Sequence, residues 1–268
     1  MNRVKVAAGA MPDVALKPQI YKDPRPKEYF DRFHARSRTR EPNAVYELVR
    51  VVTMLHGLIT FRARGLGAEN VPPGPVILAP NHASFMDHFF TGAFIRRRVR
   101  FMAKSQMFKP PFGPLVYSPG GVFPVRRGHH DEEAFITSFE IIRRGGAVVM
   151  YCEGGRSRTG KLADTAKPGI GRLALQTGVP VVPVAILGSY QVRNWKRLHF
   201  PKVTVQYGRP FKFAPNEHPT REQQQAAADF IYDRIRKLHG ELARVGHRAA
   251  RRQRRRAQRT AADSAGAL

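Results

Sequence analysis

The pair of residues best suited to chemistry in this 268-residue sequence is His82 and Asp87. A histidine titrates near neutral pH and can take a proton from a hydroxyl. A carboxylate on its other ring nitrogen fixes the tautomer that does so. On a continuous helix five residues turn through about 500°, which leaves the two side chains roughly 140° apart. They can meet only if His82 precedes the helix and Asp87 lies in its first turn. Ser84, followed three residues later by an acid, resembles a capping box and makes that placement reasonable. The same pattern lets Asp87 simply close the cap, with His82 a loop histidine. Spacing alone leaves both roles open.

Two further segments carry fixed positive charge. Arg126 and Arg127 end an apolar run, and Arg156 and Arg158 follow Glu153-Gly154-Gly155. Glycines at such a turn let backbone N–H groups approach an anion, and arginines add bidentate contacts to a phosphate. A third run, Arg97 to Lys104, would place Arg98, Arg100 and Lys104 on one side of a strand by its period of two. Together with the histidine–acid pair, these groups describe a base beside a phosphorylated acceptor. Taken singly, each basic cluster reads equally well as a solvated face.

Such residues need a frame, and residues 70–210 supply one. Short apolar runs bounded by Gly, Pro or Asn read as buried strands at 76–79, 99–102, 122–125, 147–151, 181–187 and 203–207. Helical stretches separate several of them, at about 85–96, 131–143 and 168–177, and a last helix is expected over about 221–245. The pattern predicts an α/β fold with a mostly parallel central sheet flanked by helices. In such sheets ligands gather at the carboxyl ends of the strands, where His82, Arg127 and Glu153 all fall.

The 46 Lys and Arg against 20 Asp and Glu give a net charge of +26. Three regions follow from its distribution: a basic N-terminal extension over 1–42, an α/β domain over 43–243, and an Arg-rich tail over 244–268 read as disordered or a frayed helix end. Near the start of the domain, Val45, Leu48, Val49, Val52, Leu55, Leu58 and Ile59 recur at helical spacing, giving an amphipathic helix with basic ends. It suits either a membrane interface or a packed surface position. The apolar run 51–61 is about half the length a membrane-spanning helix needs, so no span is expected. The single cysteine, Cys152, excludes an intramolecular disulfide and a cysteine zinc cluster. His129-His130 before Asp131-Glu132-Glu133 reads as a helix start with acids at its positive end, and no metal site is expected. Nucleic acid was a fair expectation from charge alone, but no nucleic-acid motif or basic-aromatic strand platform is visible.

Four segments then carry a resemblance. Asn81-His82 with Asp87, Gly121 to Arg127, Glu153-Gly154-Gly155-Arg156-Ser157, and Val179 to Val184 occur in the order and spacing of the glycerolipid acyltransferases. The chain most resembles the bacterial 1-acylglycerol-3-phosphate O-acyltransferase type, over about residues 44–214. The resemblance implies direct acyl transfer from acyl-CoA or acyl-carrier protein to a lysophospholipid, with neither metal nor redox cofactor. It implies His82 as general base and Asp87 as its orienting partner. Lys104, Arg127, Glu153, Gly154 and Arg156 would form the acceptor-phosphate site, and Val181 and Pro183 would lie on the acyl-chain side. The expected setting is an anionic membrane surface, peripheral and on the cytoplasmic face. Two positions depart from the family pattern: Gly155 stands where a threonine is usual, and Arg126 where an acid is frequent. Both loosen the assignment to lysophosphatidate, leaving a different lipid or glycolipid acceptor as the alternative and a basic nucleic-acid-binding protein as a remoter one.

Overall fold

The computed structural model describes residues 23–127, 131–192 and 200–265, the last of these by backbone alone beyond Gly246. His129 and His130 lie outside the described residues. Seven strands form one sheet: β1 (Arg64–Leu66), β2 (Val76–Pro80), β3 (Arg100–Lys104), β4 (Val122–Val125), β5 (Ala147–Val149), β6 (Val181–Leu187) and β7 (Thr204–Tyr207). Their order is β1-β7-β6-β2-β5-β3-β4. All neighbours are parallel except β6 and β7, so the sheet is mostly parallel as expected. β2 and β6 read as unbroken apolar runs because both their faces are covered.

Six helices cover the sheet: α1 (Glu28–Thr39), α2 (Ala44–Thr60), α3 (Asp87–Ala93), α4 (Glu132–Arg143), α5 (Gly169–Thr177) and α6 (Arg221–Ala265). One face packs Ile77 and Val148 of the sheet against Ile170 and Leu173 of α5 and Ile231 and Ile235 of α6. α5 and α6 approach closely at Gly171, where a Cβ would stand 1.9 Å from the Gln224 carbonyl oxygen. The other face buries Tyr46, Phe61 and Phe90 against Val184, Val205 and Tyr207.

Several boundaries differ from the sequence reading. The N-terminal extension drawn over 1–42 contains packed structure, because Phe30 and Phe33 of α1 are buried against Ala103 and Phe108. Arg100 is buried and donates to the Ser37 carbonyl (3.2 Å) and the Arg40 carbonyl (2.6 Å). It therefore anchors the end of α1, and Arg98 holds Glu47 and the Pro42 carbonyl, so neither faces a ligand. α2 is capped by Asn43, and its aliphatic face is largely uncovered: only Tyr46 and Gly57 are buried, while Leu48, Val52, Leu55 and Ile59 are exposed. The backbone of the Arg-rich tail is helical to Ala265 after a break at Gly246, where disorder or fraying was expected. Its Ala, Arg and Gln content favours that conformation.

Candidate active site

The strand order explains why the chemical residues meet. β2, β5, β3 and β4 are consecutive parallel neighbours, so their carboxyl ends share one edge of the sheet. His82 follows β2, Glu153 to Arg156 follow β5, Lys104 ends β3, and Arg127 follows β4. Residues more than seventy positions apart in sequence thus gather at one end of the sheet.

At its centre, His82 Nδ1 lies 2.9 Å from Asp87 Oδ2. The same oxygen accepts the backbone N–H of Ala83 and of Ser84, each at 2.7 Å. Ser84 Oγ accepts from the Met86 N–H at 3.2 Å. Met86 rather than Ser84 stands at the N-cap of α3, with no side-chain cap, and Asp87 instead closes the preceding turn and holds the imidazole with one oxygen. Asp87 is fully buried, and carboxylate at Nδ1 fixes the N–H there, leaving the lone pair on Nε2. Burial lowers the His82 pKa below its ordinary value, against the Asp87 hydrogen bond; the Arg156 and Arg127 charges lower it further. A neutral imidazole at neutral pH is the form a general base requires.

The ring and its peptide are both clamped. Tyr151 stacks on the imidazole with centroids 4.0 Å apart, and His88 meets it edge-on at 5.1 Å. The His82 carbonyl accepts from the Ser157 N–H at 2.7 Å, while its own N–H points to Glu153 Oε1 at 3.4 Å. Just before it, the Asn81 side chain exchanges two hydrogen bonds with the Ile186 backbone, at 2.7 and 3.1 Å.

Of the expected phosphate ligands, three cations cluster. The charges of Arg156 and Arg127 act on Lys104, whose pKa is lowered first by burial and then by these two neighbours. Such mutual repulsion is what an anion would relieve. Arg126 does not join them; its guanidinium reaches back to the Arg25 carbonyl at 3.5 Å. Glu153 also departs from the expectation. It turns inward, accepting from the Tyr232 hydroxyl at 2.9 Å, and a carboxylate facing the protein interior is not a phosphate ligand. Gly154 has φ +65°, and a Cβ there would stand 2.9 Å from Lys167 Cγ, so the turn requires glycine on both counts.

Val181 and Pro183 are not at an acyl-binding surface. Both are buried within β6, where Val181 packs among the helices of one face and Pro183 abuts Gly208. Their apolar character serves the core. The apolar space lies elsewhere: a cavity of about 550 Å³ between α2, α3 and residues 107–122, lined by Val49, Phe85, Phe89, Phe101 and Val122 and reached by His88. A second cleft, about 560 Å³, opens beside Ala83 and Ser84 and carries Arg156, Arg158 and Tyr190. Phe85 borders both spaces, next to the dyad. Among the described residues, no group of three or more His, Cys, Asp or Glu side chains is arranged to hold a metal ion.

The Acyltransferase family model matches residues 63–187, which run from β1 to the end of β6 and contain the dyad, the cations and the Glu153 turn. Residues 63–187 are similar to the Acyltransferase family. A chloroplastic 1-acyl-sn-glycerol-3-phosphate acyltransferase of Brassica napus is 31% identical over 130 residues, which cover 47% of this chain and 37% of that protein. A probable 1-acyl-sn-glycerol-3-phosphate acyltransferase of Mycoplasma genitalium is 28% identical over 161 residues, covering 58% of this chain and 59% of the other. The chain thus spans between about a third and three fifths of the length of these curated relatives. The fold is similar to that of the 1-acyl-sn-glycerophosphate acyltransferase PlsC of Thermotoga maritima. That structure superposes with a TM-score of 0.58 at 24% identity, over 81% of this chain and 89% of the other.

Tyr151, His88 and Tyr232 contribute to the site without being singled out in the sequence. Tyr232 had a visible signal: it is a polar residue on the apolar stripe formed by Ile231 and Ile235. Tyr151 and His88 had none, since an aromatic at a strand end or in a first helical turn is ordinary packing.

Proposed function

We propose that this chain transfers an acyl group from a thioester, acyl-CoA or acyl-carrier protein, to the free hydroxyl of a lysophospholipid, with 1-acylglycerol-3-phosphate as the acceptor and phosphatidate as the product. The observation that carries this reading is the His82–Asp87 dyad standing beside the Lys104, Arg127 and Arg156 charges. Relatives named for this reaction support the choice of acceptor.

The chemistry balances on the residues present. His82 Nε2 takes the proton of the acceptor hydroxyl as its oxygen attacks the thioester carbonyl carbon. The tetrahedral adduct collapses by breaking the C–S bond, and the imidazolium returns its proton to the leaving sulfur. An ester and a free thiol result, and His82 is neutral again. Asp87 stabilises the transient imidazolium. Cys152 takes no part: it is fully buried and burial raises its thiol pKa. The three cations neutralise the acceptor phosphate, and the acyl chain fits the apolar cavity lined by Phe85 and Phe101.

The uncovered face of α2, with Phe112 and Leu115 nearby in the chain fold, is suited to lie in a bilayer interface where the lipid acceptor resides. Leu48, Val52 and Phe112 are both exposed and part of the apolar cavity wall, so that cavity faces the same side. This face and the basic charge support a peripheral position on an anionic membrane surface, with the cytoplasmic face as the proposed side. Among the described residues no helix is long and apolar enough to cross a membrane.

Purified protein incubated with acyl-CoA and a panel of lysophospholipids is expected to release thiol with 1-acylglycerol-3-phosphate, and His82→Ala to reduce that release by about 10³-fold or more while the fold is kept. Thiol release that survives His82→Ala would refute the assigned base, and release with a different acceptor alone would refute the assigned substrate.

A further inference from the structure

Glu153 has no part in the transfer just described, yet it is a half-buried carboxylate directly beneath the base. Its Oε1 lies 3.4 Å from the His82 N–H and 2.9 Å from the Tyr232 hydroxyl. Tyr232 belongs to α6, outside residues 63–187 and outside every segment that carries the family resemblance. Tyr232 is 1% exposed. Arg236, one helical turn on, lies over that ring at 4.8 Å and is itself held by the Ala163 and Asp164 carbonyls. Tyr232 is therefore fixed before it reaches Glu153.

The geometry points to Tyr232 as a positioning residue for the acyl transfer: its hydroxyl holds the Glu153 carboxylate against the His82 backbone N–H, so that α6 sets the attitude of the catalytic imidazole. This inference rests on the transfer reaction assigned above.

Three features make the link more than local packing. The Glu153 turn grips the His82 peptide at both ends, through Oε1 at its N–H and through the Ser157 N–H at its carbonyl. With Asp87 holding Nδ1 and Tyr151 covering the ring, the remaining freedom of the imidazole is movement of its own peptide, which the Glu153 contact opposes. A carboxylate accepting two donors is also stronger than a neutral acceptor would be. Finally, the link is titratable. Burial pushes the Glu153 pKa up to about 7, opposed by the Tyr232 and His82 hydrogen bonds and reinforced by the Asp87 charge. The other groups near it are the buried Cys152 thiol, Lys167, whose stem packs on Gly154, and Arg236 beyond the Tyr232 ring.

The sign of the pH effect follows. The charged carboxylate is the stronger acceptor, so activity rises as Glu153 loses its proton. Removing the Tyr232 hydroxyl removes a donor that favours the charged form, and its pKa must rise further.

The test is the pH profile of kcat/KM for thiol release by the full chain, in the wild type, Tyr232→Phe and Glu153→Gln. In the wild type the acid limb is expected near the Glu153 value of about 7. Tyr232→Phe is expected to move that limb up by about one pH unit, the effect of losing one hydrogen bond to a charged group, and so to lower kcat/KM about fivefold at pH 7. Glu153→Gln, which keeps an acceptor but cannot titrate, is expected to move the limb below the ordinary histidine range, leaving only His82. An unmoved limb in Tyr232→Phe, even with reduced activity, would overturn the proposal. If Tyr232→Phe does not fold, Glu153→Gln decides: an unmoved limb there overturns it equally. A wild type that releases no thiol from any acceptor, by contrast, refutes the assigned reaction rather than this link.

Discussion

At the scale of single residues, the decisive atom is Asp87 Oδ2, which accepts from His82 Nδ1 and from two backbone N–H groups. The partner oxygen, Oδ1, is buried and has no hydrogen-bond partner. Asp87→Asn can keep the three bonds only with its amide oxygen in the Oδ2 position, which puts the NH₂ group in the unpartnered place. The imidazolium also loses its counter-charge. The variant is expected to lose about 10³-fold or more in kcat, and about 1–3 kcal/mol of stability from the stranded donor. Steady-state kinetics and a thermal melt check the two halves separately; wild-type kcat would show that Asp87 only closes the turn before α3. Residue types and spacing brought His82 and Asp87 to attention, but not this sharing of one oxygen. A five-residue interval says nothing about which backbone donors converge on a carboxylate. Glu153 illustrates the same limit from the other side. Its place in the motif is legible, while its direction depends on Tyr232, seventy-nine positions away, a pairing no local pattern encodes.

At the scale of elements, the site exists because four parallel strands end at one edge and helices hold the loops beyond them. β2 and β6 were legible because strands buried on both faces leave unbroken apolar runs. β1 was not, since three residues reading Arg-Gly-Leu carry no periodicity. α1 was absorbed into a basic extension because its charges dominate its composition; the buried pair Phe30 and Phe33 marks its inner face only once β3 and the 105–108 segment are in place. Val181 and Pro183 show that a recurring apolar segment can belong to the sheet rather than to the substrate. The closest helix contact bears on the site as well. Gly171 lets α5 meet α6, and α6 delivers Tyr232. Gly171→Ala forces a methyl group onto the Gln224 backbone, a contact that cannot relax by rotating a side chain. It is expected to cost about 1–3 kcal/mol, read as a fall of roughly 2–12 °C in melting temperature for a chain of this size. A melting temperature equal to the wild type would mean that α5 and α6 are farther apart than described.

At the scale of the whole molecule, the net charge of +26 and the uncovered apolar face of α2 make different physical demands on a membrane. Apolar burial is insensitive to lipid charge, whereas attraction of arginines to anionic headgroups is screened by salt over about 8–10 Å. The two contributions are therefore separable. The helical segment after Gly246 contains Arg248, Arg251, Arg252, Arg254, Arg255, Arg256 and Arg259. At about 1 kcal/mol for each basic residue near an anionic surface, its removal is a large electrostatic loss and no apolar one. Ending the chain at Val245 is expected to weaken sedimentation with phosphatidylglycerol-containing vesicles at low salt, with little change on phosphatidylcholine vesicles. Ile59→Asp, at a position 79% exposed, is expected to weaken binding to both and to leave the melting temperature within about 2 °C of the wild type, since it removes no packing. Equal losses on charged and neutral vesicles after the truncation would contradict an electrostatic role for the tail. Undiminished binding by Ile59→Asp would assign the α2 face to something other than lipid.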